Sequence, residues 1–320
     1  MKDSPARPVH PLLQILLLAG LAGVGLALAS FVGLLLATTL LGFSMQDFAA
    51  ISAAPASVPH GWAATMLLQG LMLAGLGAGA AVLPRMLGYA TSRYFAPRRL
   101  GAGWWLLGAG VLIICSVPLL SALVSWNAGT HFPAALHDFE LWAREAEDRT
   151  AELTKFLTNF SSASRLLVGL VVIAIVPAVA EELVFRGVLQ RNLVQLTGSR
   201  HVGVWLAAAI FSAIHLQFFG FVPRFVLGLV LGYLFEWSGN ILVSMAAHFT
   251  QNALQLLLLY LFQNHFLPAT FDPDSTAALP WATVLVSGGL CLGLLYFLHQ
   301  QFTQATLRQP PATDPAFPAR

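Results

Sequence analysis

Six side chains able to do chemistry stand where the surrounding sequence gives them no water. Glu181 and Glu182 end an apolar run that begins at Leu166, and Leu183, Val184, Phe185 and then Arg186 follow directly. His215 closes the apolar run 210–214, and His248 sits in Ser244-Met245-Ala246-Ala247-His248-Phe249 with Asn252 four residues later. An ionised carboxylate at the centre of a bilayer costs at least about 2.5 kcal/mol on insertion scales. Two adjacent carboxylates also repel each other, so these groups need partners, protons or a purpose.

On a helix, Glu182 and Arg186 share a face in the favourable acid-before-base order, and an ion pair is their natural local solution. Glu181 projects roughly 100° away around the same helix and must find its partner elsewhere. His248 and Asn252 point from one face toward one place. A carboxylate, two imidazoles and an amide gathered in a bundle interior would activate water and stabilise an oxyanion. Glu181, His215 and His248 would equally supply three zinc ligands with a fourth position open for water, although the helical H-E-x-x-H pattern is absent. Polar contact between helices is the structural alternative for each residue taken alone. Their accumulation in successive apolar stretches favours function, because ionisable residues inside a membrane are functional by default. His10, His60, His131, His137, His201, His265 and His299 sit in loops or near helix ends and carry no assigned role.

The elements that must position these residues follow from composition. Of 320 residues, 57% are hydrophobic and 9% charged, against about 25% charged in soluble proteins. That excludes a water-soluble surface. A net charge of +2 without a basic run excludes nucleic acid as a partner. Apolar stretches at 12–41, 62–83, 103–125, 164–190, 202–219, 223–237, 240–263 and 281–302 reach or approach the roughly 20 residues that span a bilayer. The expected fold is all-α, a polytopic transmembrane bundle of about eight helices. The first run exceeds a signal h-region, so a retained helix is expected there in preference to cleavage near Ala27-Leu28-Ala29. Thr197-Gly198-Ser199, Ser238-Gly239-Asn240 and Asp272-Pro273-Asp274 read as turns. Arg85, Arg93, Arg98 and Arg99 in one loop, with Arg191 and Arg200 in another, orient both termini toward the cytoplasm of a plasma (inner) membrane.

The divisions expected are N-terminal transmembrane helices over 1–126, an extracytoplasmic loop over 127–163, a catalytic helical core over 164–263, a C-terminal transmembrane helix over 264–306 and a disordered tail over 307–320. Within the loop, charges from Asp138 to Lys155 alternate with Phe139, Leu141, Trp142, Ala146, Leu153, Phe156 and Leu157. This pattern predicts an amphipathic helix at the membrane surface, either a solvated connector or a cover over an opening. Phe218, Phe219 and Phe221 read as lipid-facing aromatics, Gly228 and Gly232 as a helix-packing pair, and Cys115 and Cys291 as small core residues.

Taken in order, Glu181-Glu182-x-x-x-Arg186-Gly187, Phe211-x-x-x-His215 and His248-x-x-x-Asn252 resemble the three motifs of the CPBP family, the CAAX prenyl proteases and bacteriocin-processing relatives also called Abi. Each motif alone is weak; the ordered triple is specific. The resemblance covers about 164–263. It implies that Glu181 and His215 activate the hydrolytic water, that His248 and Asn252 hold the oxyanion, and that Glu182 and Arg186 support them. The implied activity is that of an intramembrane endopeptidase acting on a hydrophobic or lipidated peptide or protein. No cofactor is expected, with zinc on Glu181, His215 and His248 as the alternative, since family members have been described both as metalloproteases and as metal-independent glutamate proteases. Two other functions compete: a proton-coupled transporter or channel that uses Glu181, Glu182, His215 and His248 as a relay, and a catalytically silent membrane scaffold. The sequence lacks the internal symmetry that would favour a transporter.

Overall fold

In lipid, long apolar runs can satisfy their backbone polar groups only as helices or closed barrels. Here every regular element is helical among residues 9–268 and 279–308, which the computed structural model describes. Nine helices of this described part carry the architecture: α1 (Pro11–Leu41), α2 (Gly61–Met86), α3 (Trp104–Ala128), α4 (His137–Leu157), α5 (Ala163–Thr197), α6 (Arg200–Ala213), α7 (Phe221–Ser238), α8 (Ile241–Gln263) and α9 (Trp281–Arg308). The chain is an integral membrane protein: seven of these helices, all but α4 and α6, are long and apolar enough to cross a bilayer. Their outward faces expose Leu16, Phe31, Leu107, Leu285 and Leu292, as a helix bathed in acyl chains should.

The fifth apolar stretch behaves differently from the expectation of one helix over 202–219. Helix α6 has 14 residues, about 21 Å at 1.5 Å per residue, which is short of a hydrocarbon core of about 30 Å. The chain leaves the helix after Ala213, Leu216 adopts a left-handed backbone with φ 54°, and a single 3-10 turn at Phe218–Gly220 leads into α7. The break sets His215 in a bend between two helices and away from a helix interior.

Two turn signals do what their residues allow. Gly198 (φ 66°) ends α5 and Gly239 (φ 63°) ends α7 in the left-handed region that favours glycine. Ser199 and Asn240 then cap the next helices, accepting from the amides of Val202 and Leu242. The Asp272-Pro273-Asp274 signal and the tail from 309 onward lie outside the described residues.

Helix α5 is the axis of the molecule. Helices α2 and α8 pack along it, α6 and α7 pack on each other beside its second half, and α3 joins α7, α8 and α9 on the far side. One apolar cluster links Ala80, Leu83, Val184, Phe185, Val188, Phe211 and Phe235; a second links Leu112, Leu231, Leu234, Ala247, Cys291 and Leu298. Cys291 is buried there as a small core residue. Two stretches of α5, Leu170–Ile175 and Leu183–Gln190, are π-helical, the first closed by the Val176 N–H donating to the Val171 carbonyl. They flank the Glu181-Glu182 pair on either side, and π turns of this kind gather at functional sites.

The amphipathic helix α4 is present as the charge pattern predicts. Its end is tied to the bundle by the Trp62 indole N–H donating to the Leu157 carbonyl (2.9 Å) and by the Phe160 N–H donating to Gln263 (2.8 Å). Its middle lies on the bend after α6, where the Glu147 carboxylate accepts from the Phe219 N–H (3.1 Å). Phe218 packs edge-on against Phe139, and Phe219 packs against Phe132 beneath the Arg144 guanidinium. Phe219 is buried, so it is a docking residue for α4; the lipid-facing reading of this aromatic group is corrected for it.

Candidate active site

The second half of α5 carries a charge cluster turned into the bundle, in which Glu182, Arg186 and His248 are buried and Glu181 is partly exposed. Glu182 is fully buried, and its Oε1 accepts from the Arg186 guanidinium one turn on at 2.7 Å. The same oxygen accepts from His248 Nδ1, contributed by α8, at 2.9 Å. Because a carboxylate oxygen in this pair can only accept, Nδ1 of His248 carries the proton. The other ring nitrogen, Nε2, then points away from Glu182 and stands 3.8 Å from Glu181 Oε2. Glu181, which no residue of its own helix neutralises, therefore meets its partner across the α5–α8 interface.

Arg186 completes its donor set on α7. Its second terminal nitrogen donates to the Gly228 carbonyl at 3.1 Å, and Gln190 donates to the Gly232 carbonyl at 3.0 Å. Two residues one turn apart on α5 thus dock on two carbonyls one turn apart on α7. The glycines permit the close approach: a Cβ at Gly228 would stand 3.1 Å from Ala208 Cβ, and one at Gly232 2.8 Å from Gln190 Oε1. The packing pair read from the sequence is also a pair of acceptors for the α5 side chains.

His215 lies in the bend after α6 and is partly buried. Its Nδ1 donates to the Phe211 carbonyl at 2.7 Å, which leaves a lone pair on Nε2. The Phe211 ring links it to the rest of the cluster, edge-on to His215 (5.2 Å between centroids) and to His248 (6.1 Å). Phe185 lies against the same ring, and the Arg186 guanidinium sits over it at 4.6 Å. Phe211 is therefore the wall around which both imidazoles and the arginine are arranged.

The structure thus joins Glu181, Glu182, Arg186 and His248 directly and brings in His215 through Phe211. Asn252 is one turn further along α8, and its amide nitrogen donates to the Ile173 carbonyl in the first π-helical stretch at 3.3 Å. Among the described residues no three His, Cys, Asp or Glu side chains come close enough together to hold a metal ion.

Sequence reasoning missed Arg224. It lies in the first turn of α7, its Nη2 donates to Gln217, and its charge acts on both Glu181 and His215. The rule that singled out Glu181 applies to it as well, because it is a lone cation opening the apolar run 223–237. The position of Phe211 as a shared wall had no signal in its residue type.

Three comparisons with known proteins bear on this geometry. Residues 163–254 match the family model described as type II CAAX prenyl endopeptidase Rce1-like. Over that segment the family resemblance drawn from the three motifs holds, and the segment contains all six of the site residues named above. The uncharacterized protein YpbD of Bacillus subtilis (strain 168) is 34% identical over 93 residues, 28% of this chain and 44% of that protein. The chain therefore spans less than half the length of that relative. No solved structure matches the chain.

Proposed function

We propose that this chain, whose residues 163–254 match a CAAX prenyl endopeptidase model, is an intramembrane endopeptidase that hydrolyses a peptide bond of a membrane-associated or lipidated substrate. The observation that carries the reading is Glu182 Oε1, which receives Arg186 and His248 together and so aims His248 Nε2 toward Glu181. An arrangement built only to neutralise charge would end with the Glu182–Arg186 pair. Here a second carboxylate and a second helix are added to it.

In this mechanism Glu181 takes a proton from water, with His215 Nε2 accepting the other O–H and fixing the direction of attack. The hydroxide adds to the scissile carbonyl, and the proton held by Glu181 passes to the departing amine as the C–N bond breaks. The oxyanion between these steps is met by His248 Nε2 and by the Asn252 amide hydrogen not committed to Ile173. For His248 to donate from Nε2 it must be the imidazolium, since Nδ1–H is already given to Glu182. The four polar roles are filled without an ion, which supports metal-independent hydrolysis.

The experiment is cleavage of a hydrophobic peptide by the purified chain in detergent, with bound metal quantified, for the unmodified protein and for Glu181→Ala, His215→Ala and Glu182→Ala. The first two are expected to lose turnover and keep the fold. Full activity in Glu181→Ala sinks the assignment. A proton-coupled transporter would place its relay along a continuous polar path, whereas here the cluster is walled by Phe211, Phe185 and the α7 backbone.

A further inference from the structure

Arg224 is the charged group near this centre that the mechanism does not use. Its Nη2 donates to Gln217, in the bend that carries His215, while its Nη1 is buried without any hydrogen-bond partner. A guanidinium nitrogen removed from water and left unpaired is costly and is seldom kept without a use. The surroundings show where an incoming group would sit. Gly220 has no side chain, and the place its Cβ would occupy lies 3.6 Å from both Nη1 and Nη2 and 3.7 Å from Glu147 Oε1 on α4. Glu147 commits its other oxygen to the Phe219 N–H, so both terminal nitrogens of the guanidinium and one Glu147 oxygen border the space that Gly220 leaves without a side chain. The Arg224 charge is also felt at Glu181 and at His215, on the two sides of the proposed attack.

We infer that Arg224, with the space over Gly220, receives a carboxylate of the substrate and so fixes the distance between that carboxylate and the bond that is cut. A carboxylate matches the two terminal nitrogens of a guanidinium in shape and charge. In a peptide it has two sources, the chain terminus and an acidic side chain, and either fits the chemistry. The inference rests on the peptidase reading and makes Arg224 a specificity-determining residue for it. Glu147 Oε1, 3.7 Å from the same place, sets a like charge beside the incoming carboxylate, so only an acid that reaches both terminal nitrogens of Arg224 is held.

The test uses the full chain in detergent and three hydrophobic peptides of one sequence: a free C-terminal acid, a C-terminal amide, and the amide with one internal Asp. A carboxylate peptide is expected to be cleaved with a kcat/KM about 10- to 100-fold above the plain amide. In Arg224→Gln that ratio falls to about one, mainly through KM, and Arg224→Lys restores part of it. Gly220→Ala puts a methyl group into that space at ordinary contact distance and lowers the ratio in a protein that keeps the arginine. Arg149→Gln, on the exposed side of α4, keeps the ratio. A preference for the free acid identifies a chain terminus, and one for the Asp peptide identifies a side chain. Equal cleavage of all three peptides by the unmodified chain, or a preference that survives both Arg224→Gln and Gly220→Ala, overturns the inference. Binding of the same peptides to Glu181→Ala protein separates the two readings. A carboxylate preference in binding without turnover by the unmodified chain sinks the peptidase and retains the site, whereas turnover without preference does the reverse.

Discussion

Glu182 of α5 and His248 of α8 are joined at 2.9 Å through an oxygen that Arg186 already occupies at 2.7 Å. The acidic member of the motif that cannot touch water is therefore the one that fixes the direction of an imidazole. It holds His248 by Nδ1 and turns Nε2 toward Glu181, which is the carboxylate with room to react.

Removing Glu182 strands Arg186 in the apolar interior and releases His248. Glu182→Ala is expected to destabilise the chain by about 3–5 kcal/mol, the usual cost of breaking a buried pair. Thermal unfolding in detergent reads this directly. Glu182→Gln keeps the volume and an acceptor for His248, so it should recover part of the stability. Equal stability of all three proteins would show that the pair holds nothing.

Glu181→Ala and His215→Ala should each lower kcat about 100- to 10,000-fold, the range supplied by general acid–base groups, with little change in unfolding temperature. The informative comparison is the double variant. Two groups that act on one water give a combined loss well below the product of the single losses, and a multiplicative loss would separate them into different steps.

The wall on the α2 side can be moved without touching a polar group. A Cβ on Gly77 would stand 2.9 Å from both Cα and Cβ of Ala180, the residue just before Glu181. Gly77→Ala should cost about 1–3 kcal/mol as α2 and α5 separate and should reduce kcat more than it raises KM. Unchanged kinetics would mean that α5 does not need α2 to hold Glu181 in place.

Hydrolysis without a metal predicts that prolonged chelation leaves turnover within about twofold of its starting value. Loss of activity on chelation, with recovery on adding zinc and not magnesium, would overturn that preference. It would turn Glu181, His215 and His248 into ligands that must close on the ion.

Outside the membrane, acid should loosen the start of α4. The Arg144 guanidinium donating to Glu140, with the Phe132 N–H and His131 beside it, lowers the Glu140 carboxyl from 4.5 to about 2. A lowered value means that the fold favours the carboxylate. The contribution is therefore complete above about pH 4.5 and is lost as pH falls toward 2. Protection of the Phe132 amide hydrogen, measured against its intrinsic exchange rate at each pH, should fall over that window, and in Glu140→Gln it should be low at every pH. A pH profile unchanged by the substitution would remove Glu140 as the cause.

The membrane helices were legible because apolar length is nearly sufficient to define them: each of the seven long spans contains or matches a predicted run, although α5 and α9 continue past theirs to Thr197 and Arg308 on polar turns. The Glu182–Arg186 pair was legible because it is local, four residues apart on one helix. Tertiary relations were not. That His248 reaches Glu182 as well as Glu181 depends on the α5–α8 interface, and no spacing encodes it. The break after Ala213 was hidden by the apolar run 202–219, whose composition suits a helix throughout. Arg224 was overlooked although its charge in an apolar run was in plain view, and Phe219 was read as facing lipid because nothing local reveals that α4 lies over it.

The π-helical stretches on either side of Glu181-Glu182 mean that α5 holds spare residues relative to an α-helix of the same reach. Deleting one residue from 170–175 would leave all three motifs intact letter for letter, and the stretch could close into plain α-helix with its two ends still in phase. The same deletion from 176–180, which is already α-helical, would swing the preceding part of the helix by about 100° relative to the acids. Chains that share these motifs can therefore differ in length ahead of the acids and keep their parts in phase, provided the difference falls in a π stretch.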